Sequence, residues 1–467
     1  MLRRALDLPA DTLLALAARW PERYPVLFDS ASSGPLARHS VLATTDGGSL
    51  AMARDGTIWR DGRPAPAIDA GHDFLGALEA DWRRVAGPAG ASAGAASPDL
   101  APWRGGYAVF LGYELAAQIE PSLRLAASPD AWVAWALRTP AALVLDVRSG
   151  RIWACAEPGG EAWLDRLERD ARDAAATPAR FDPLPPWQVD EEPEAPFLDG
   201  VRRALGHIAA GDVYQLNLSR GWSAALPSQP LPGIVARLYG ALRRANPAPF
   251  AVLAQWGGQA LLSSSPERLL CVEAGVASTR PIAGTRPRGS SQAADAALAA
   301  ELHVNAKERA EHVMLIDLER NDLGRVCAAG TVAVSEFMAI ESYAHVHHIV
   351  SEVSGTLRPD ANAIDALRAL FPGGTITGCP KVRCMQLIGE LEQQGRGAYT
   401  GSLGMLGIDG SADFNILIRT MTLRDGRAHW RAGAGIVADS QPEAELAETR
   451  AKARGLVRAL LASSEPA

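Results

Sequence analysis

The sequence predicts a mixed α and β protein with largely antiparallel strands, and three observations carry that reading. Apolar runs of period 3.6 are interspersed with runs of period 2. The segment Val213-Tyr214-Gln215-Leu216-Asn217-Leu218-Ser219 sets Tyr214, Leu216 and Leu218 on one face and Gln215 and Asn217 on the other, as in a sheet with two unlike faces. No G-x-G-x-x-G follows a strand, which removes the parallel dinucleotide-binding fold.

The elements follow in order. Asp11 and Thr12 open a short helix, LLALAARW, that Pro21 ends. Residues 86–98, AGPAGASAGAASP, lack large apolar side chains and read as a flexible surface loop. AALVLDV and RIWACAE read as strands. In residues 181–196, FDPLPPWQVDEEPEAP, prolines and acids replace any periodic pattern. That segment is read as a linker between an N-terminal region, 1–180, and a catalytic region, 197–462. Phe197, Val201, Leu205 and Ile208 then share a helical face that Gly211 closes. Strands FAVLAQW and QALLSSS come next, with helices expected near 298–319, 361–370 and 442–462.

Bulk properties narrow the function. A chain of 467 residues exceeds what one core usually organises, so a very large domain or two closely packed lobes are expected. The net charge of -7 offers no broad attraction to nucleic acid. No apolar run is long enough for a membrane span, and Asp7, Pro9 and Asp11 interrupt any signal-peptide centre. The five cysteines are scattered without a C-x-x-C pair, as in a reduced, cytoplasmic protein.

Several residues could carry chemistry. Glu308 and Glu311 lie three apart on a helical stretch, and Glu445 and Glu448 repeat the spacing near the C-terminus. Such carboxylates suit magnesium, although solvated helix faces explain the spacing equally well. Thr375 and Thr377 lie in PGGTITG, which leads into Lys381 and a helix whose start suits an anion. Gly433, Ala434 and Gly435 follow a strand and offer backbone donors to a carboxylate, or form a tight turn. Arg419 closes the alternating run from Phe414, where it could grip a carboxylate or form a salt bridge. His345, His347 and His348 have no cysteine or H-E-x-x-H partner for zinc, so one of them suits proton donation better. Glu267, in Ser265-Pro266-Glu267, is a candidate acid or base at a strand end.

In this order the motifs SSSPERLL, RPIAGTRPRG, KERAEHVMLIDLERNDLGRV, HHIVSEVSG, FPGGTITGCPKVR, AYTGSLG, ILIRT and AGAGIVADS resemble the chorismate-binding enzymes over about 197–460. The resemblance implies two stacked sheets flanked by helices, as in anthranilate synthase component I, with the substrate in a cleft between lobes. It implies Mg2+ as cofactor, with Glu311 and Glu448 as ligands and Glu308 and Glu445 beside them holding metal-bound water. It places Tyr399, Arg419 and the Gly433–Gly435 backbone around the substrate carboxylates, with Thr375, Thr377 and Lys381 in the adjoining loop. His348 matches the histidine near the departing hydroxyl, and Glu267 the glutamate of the S-P-E motif.

Within the family the motifs divide. Aminodeoxychorismate synthases typically carry P-I-K-G-T with a nucleophilic lysine, and anthranilate synthases P-I-A-G-T. Here Ala283 stands at that position, and alanine is no nucleophile. VYQLNLSR and FPGGTITGCPKVR look closer to aminodeoxychorismate synthase component I, which is the expected activity, with anthranilate synthase as the alternative. Phe28-Asp29-Ser30 departs from the L-L-E-S of tryptophan-regulated enzymes. Asn246, Pro247 and Phe250 match the other wall of that site, so a tryptophan pocket formed with Asp29 and Ser30 stays open. Both activities need ammonia, and no glutaminase pattern is visible, which implies a separate glutamine amidotransferase subunit as partner.

Overall fold

In the computed structural model the described residues are 1–32, 38–65, 73–86, 103–176, 182–343 and 346–465, with every side chain among them except that of Lys307. The loop expected at 86–98 lies outside them apart from Ala86, which ends a helix, and so does His345.

The alternating segments pair into two antiparallel sheets, each of twelve strands among the described residues. In the first, Leu2–Leu6, Ile152–Ala156, Ala141–Asp146, His39–Ala43 and Val26–Asp29 lead into Phe250–Trp256. Gln259–Ser265, Thr420–Arg424, Arg427–Ile436, Gln215–Ala225 and Val189–Glu191 complete that order, with Gly378–Cys379 beside Gln215–Ala225. The second runs from Ile282–Pro287 through Val346–Thr356, Val276–Thr279, Arg268–Glu273 and Ala412–Asn415 to Ser402–Leu406. It continues with Tyr107–Leu111, Trp132–Arg138, Ser49–Ala53, Ile58–Arg60 and Arg63–Pro64, and Ala333–Ser342 pairs with Val346–Thr356.

Both sheets are therefore built from both ends of the chain. Asp29 sits opposite Ala251 in the first, and Leu111 opposite Ser402 in the second. The division into 1–180 and 197–462 marks a boundary along the chain, and no core boundary follows it. The 181–196 segment also carries structure: Val189–Glu191 is an edge strand, and Glu194 begins the helix Glu194–Ala209.

Helices cover the outer faces. Leu13, Leu16, Tyr239, Leu242 and Leu456 pack from three helices onto the first sheet, and Ile316, Ile364 and Leu367 onto the second. On Gln215–Ala225 the alternation works as read, with Leu216 and Leu218 packing against Phe197, Val201 and Ile388. Tyr214 departs from it, being 71 % exposed just before the strand. Between the sheets lies a separate core containing Val252, Leu261, Phe110 and Trp135. Trp256 of the first sheet meets Trp132 and Trp135 of the second, with ring centroids 5.3 and 5.8 Å apart, so aromatic area joins the layers.

Trp135→Ala should lower the unfolding free energy by about 3–5 kcal/mol, as expected for truncating a buried Trp. Because the sheets share that core, tryptophan fluorescence and circular dichroism should report one coincident denaturant transition. Two separated transitions would mean that the layers fold apart.

Candidate active site

One end of the inter-sheet cleft is polar, and glycines let its walls approach. Gly433 and Gly435 lie inside the strand Arg427–Ile436, which corrects their reading as residues after a strand or in a tight turn. A Cβ on Gly433 would come within 2.6 Å of the Tyr399 hydroxyl and 2.8 Å of Asn217 Oδ1. One on Gly435 would reach Gln215 Nε2 at 2.6 Å. Thr420–Arg424 pairs with this strand only as far as Trp430, whereas Gln215–Ala225 pairs along its whole length. The other edge of Gly433, Ala434 and Gly435 thus stands outside the ladder. Gln215 Oε1 and Asn217 Oδ1 are buried without hydrogen-bond partners, on the side of the strand from which Gly433 and Gly435 are approached.

Arg419 is the central cation. The run from Phe414 is broken: the strand Ala412–Asn415 ends, and Arg419 takes a left-handed bend at φ 51° before Thr420–Arg424 begins. The expectation of a guanidinium emerging from a strand is corrected accordingly. Among the described residues Arg419 forms no ion pair, and burial pulls its pKa below the ordinary value. A cation partly withdrawn from water and without an ion pair favours a ligand that brings an anion to it.

Glu267 stands close to it. The backbone N–H of Ile416 donates to the Glu267 carbonyl at 3.0 Å, and the Thr375 hydroxyl donates to Glu267 Oε1 at 2.5 Å. Glu267 is 5 % exposed, and burial pushes its carboxyl up to about 7, with Glu319 raising it further. It therefore keeps its proton to a higher pH than an ordinary glutamate and titrates around neutrality.

His348 behaves oppositely. Its Nδ1 lies 3.0 Å from Thr285 Oγ1 and 3.3 Å from the Gly284 carbonyl, and Nε2 is buried without a partner. Burial first, then Arg419, lowers its pKa to about 4, so the ring is neutral at pH 7 and a poor proton donor. Ala283 precedes Gly284 on the same strand, at a bulge against Val346–Thr356. His347 faces elsewhere, bonded to Ser342 and Asp295.

The four glutamates lie on two helices, Ala306–Gly324 and Pro442–Ser463. Glu308 Oε1 accepts from Arg286 at 2.6 Å, while its Oε2 is buried and unpartnered against Gly284. Glu448 pairs with Lys452 at 2.8 Å, and Glu311 and Glu445 are half-buried. Among the described residues no group of three or more His, Cys, Asp or Glu gathers tightly enough to hold a metal. The donor chemistry still fits a hard divalent cation, and the free Glu308 Oε2 is a vacant oxygen ligand. Arg286 and Lys452 instead engage Glu308 and Glu448.

Other expected residues serve the framework. Thr377 donates its hydroxyl to the Gly373 carbonyl within its own turn. Lys381 pairs with Asp322 and donates to the Leu370 carbonyl at 2.9 Å, so its ammonium is not turned to the substrate. Asp29 accepts from Ser40 at 2.9 Å and Tyr239 at 3.2 Å and meets Arg243 at 3.3 Å. Ser30 donates to the His39 carbonyl, and Asn246 to Ser264. Phe250 lies under the Arg268 guanidinium, and Pro247 precedes Ala248, whose carbonyl bonds the Ala31 amide. The two segments assigned to a tryptophan pocket lie side by side, and the polar groups of Asp29, Ser30 and Asn246 are engaged by neighbours outside that set.

Sequence reasoning missed Lys452, whose ammonium donates to the Gly433 carbonyl at 3.0 Å and lies within electrostatic reach of Glu267 and His348. Its position four residues after Glu448, on the same helix face, was the available signal. Also missed was Arg396, 3 % exposed, which grips Glu392 through two nitrogens at 2.6 and 3.0 Å. Arg396 also donates to the carbonyls of Asn217 and Ile376, and its own carbonyl accepts the Tyr399 amide. It thereby ties the strand, the threonine turn and Tyr399 together.

A family model described as chorismate binding enzyme matches residues 68–458. Anthranilate synthase component 1 of Streptomyces coelicolor is 42% identical over 421 residues, 85% of this chain and 79% of that one. Aminodeoxychorismate synthase component 1 of Bacillus subtilis is 38% identical over 467 aligned positions, 95% of this chain and 93% of its own. The crystal structure of anthranilate synthase component I from Streptococcus pneumoniae superposes with a TM-score of 0.77 at 30% identity, covering 91% of this chain and 93% of that one.

Glu392→Gln should destabilise the fold by about 3–5 kcal/mol near pH 7, because it leaves the buried Arg396 uncompensated. Burial works to raise the Glu392 pKa, but Arg396 and Arg431 hold it below its ordinary value. Its stabilisation is therefore present above the unfolded pKa and lost as pH falls through the folded one. Denaturation curves of wild type and variant should converge in acid; a gap constant with pH would contradict the pairing.

Proposed function

This chain belongs to the chorismate-binding enzymes, as a chorismate-utilising enzyme of the anthranilate and aminodeoxychorismate synthase type, and we propose that it is aminodeoxychorismate synthase component I. In this reading it converts chorismate and ammonia to 4-amino-4-deoxychorismate, which a downstream lyase turns into 4-aminobenzoate for folate. The observation that carries the reading of the site is the half-buried Arg419, without an ion pair among the described residues, close to a buried Glu267 whose carboxyl is pushed up by burial. A dicarboxylate that must lose a ring hydroxyl needs both a cation and an acid.

Arg419 binds one carboxylate in bidentate fashion, and the open edge of Gly433–Gly435 offers amide donors to it. Lys452 adds a second positive charge, and Tyr399 closes the wall behind the ring. Thr375 orients the Glu267 carboxyl, which hands its proton to the departing hydroxyl so that water leaves. A positioned acid of this kind is worth about 10²–10⁴-fold. His348, neutral, accepts or shares a hydrogen bond through Nε2 and does not supply that proton, which revises the role expected for it. Glu308, Glu311, Glu445 and Glu448 would hold Mg2+, which when bound neutralises the ring carboxylate as a Lewis acid.

Ala283 leaves no amine at the position where the family's lysine stands, so ammonia itself adds to the ring, and a glutamine amidotransferase subunit is the proposed source. Support for this subfamily comes from VYQLNLSR and FPGGTITGCPKVR. The engagement of Asp29 within its own wall fits an enzyme without tryptophan feedback. Anthranilate synthase component I is the second reading, favoured by Ala283 and by the relative from Streptomyces coelicolor.

Purified protein given chorismate, ammonium and magnesium should yield 4-aminobenzoate only when the lyase is added. Fluorescent anthranilate appearing without it would establish the second reading. Glu267→Gln should lower kcat by about 10²–10⁴-fold with little change in KM. In wild type, kcat/KM should fall as pH rises through about 7, where Glu267 loses its proton; a limb set elsewhere would remove it from the acid role.

A further inference from the structure

Two buried acids hold the turn Gly373–Thr377. Glu267 accepts the Thr375 hydroxyl at 2.5 Å, and Glu319 Oε1, on the helix Ala306–Gly324, accepts the Gly374 amide at 3.2 Å. Glu319 is 3 % exposed, and its Oε2 is buried with no hydrogen-bond partner. The nearest cation does not close on it: Lys381 gives its ammonium to Asp322 and the Leu370 carbonyl. An acid so placed costs stability through its unmatched oxygen, whereas a single acceptor for Gly374 would serve the turn alone. Its hold on the turn that carries Thr375 to Glu267 accounts for it.

We propose that Glu319 is a positioning residue for Glu267: it anchors the turn that presents the Thr375 hydroxyl to Glu267, and it sets a second acid group against that carboxyl. The inference rests on the reading of Glu267 as the proton donor. The groups facing Glu319 are Lys381 from the helix Lys381–Glu392, Asp322 one turn along its own helix, Thr279 from the second sheet, the Gly374 amide and Glu267. Those facing Glu267 are Thr375, Glu319, Lys452, Arg419 and Tyr399. Arg419 and Lys452 favour the charged form of Glu267; burial and Glu319 oppose it. Both acids are held up to about 7, burial being the larger cause in each. When Glu319 is ionised, its charge makes ionising Glu267 harder and keeps the proton where the hydroxyl leaves.

The test uses the full chain without substrate, titrated by carboxyl-band difference infrared spectroscopy in wild type, Glu267→Gln, Glu319→Gln and Glu319→Leu. Each Gln variant assigns one buried acid by the band it removes. In Glu319→Gln, whose amide oxygen can still accept from Gly374, the Glu267 step should move to lower pH, and the alkaline limb of kcat/KM should move with it while KM stays near wild type. In Glu319→Leu, which cannot accept, kcat should fall a further tenfold or so as Thr375 loosens. A Glu267 step that stays in place or moves to higher pH in Glu319→Gln overturns the proposal, and that variant decides it even if Glu319→Leu fails to fold. Should Glu267→Gln keep its turnover while the infrared step still shifts in Glu319→Gln, the positioning relation stands and only the proton-donor reading fails.

Discussion

A half-buried guanidinium with no ion pair among the described residues, and a buried acid within its electrostatic reach, is the constraint around which the site is arranged. Arg419 is half-buried, without an ion pair among the described residues, and set on a left-handed bend between strands of the two sheets. A cation in that state raises the energy of the empty site and lowers that of any complex that brings a carboxylate. Its electrostatic reach extends to Glu267 and His348, where it favours the charged form of the acid and disfavours that of the imidazole. Burial outweighs it at Glu267, so acid and cation coexist without cancelling.

Such an arrangement needs a stiff surround, and Arg396 supplies much of it. Its paired grip on Glu392, with donations to Asn217, Ile376 and Thr400, fixes four chain segments by one side chain. Each segment carries a cleft group: Asn217 on its strand, the threonine turn, Tyr399 and the end of the helix Lys381–Glu392. Strands from both ends of the chain complete the sheets behind them, so the N-terminal 180 residues are part of the scaffold that holds the site.

The local elements were legible in the sequence because their periods are local properties. The helices at 363–370 and 442–463 and the strand from Gln215 appear within a few residues of their expected places. The alternation over Gln215–Ser219 also anticipated the unlike faces of that strand, Leu216 and Leu218 packing in an apolar core. What was illegible depends on distant pairing. Nothing in residues 26–29 announces that they lie beside 251–254, so the interleaving of the two regions was hidden. Gly433-Ala434-Gly435 looked like a turn because glycine is permissive, although close approach of Tyr399 and Gln215 explains it. Lys381 looked available until burial placed it with Asp322. The glutamates were correctly suspected on their helices, but spacing could not reveal that Arg286 and Lys452 occupy two of them.

The account stands most directly on the affinity of Arg419→Met for chorismate, measured by calorimetry in the presence of magnesium against wild type. Removing one member of a buried charge pair in a complex costs about 2–5 kcal/mol, or roughly thirty- to several-thousandfold in Kd. A loss of that size, in a variant that keeps the wild-type fold and thermal stability, is the expected result. Unchanged affinity in a folded variant would contradict the placement of the substrate carboxylate on Arg419, and with it the assignment of the cleft.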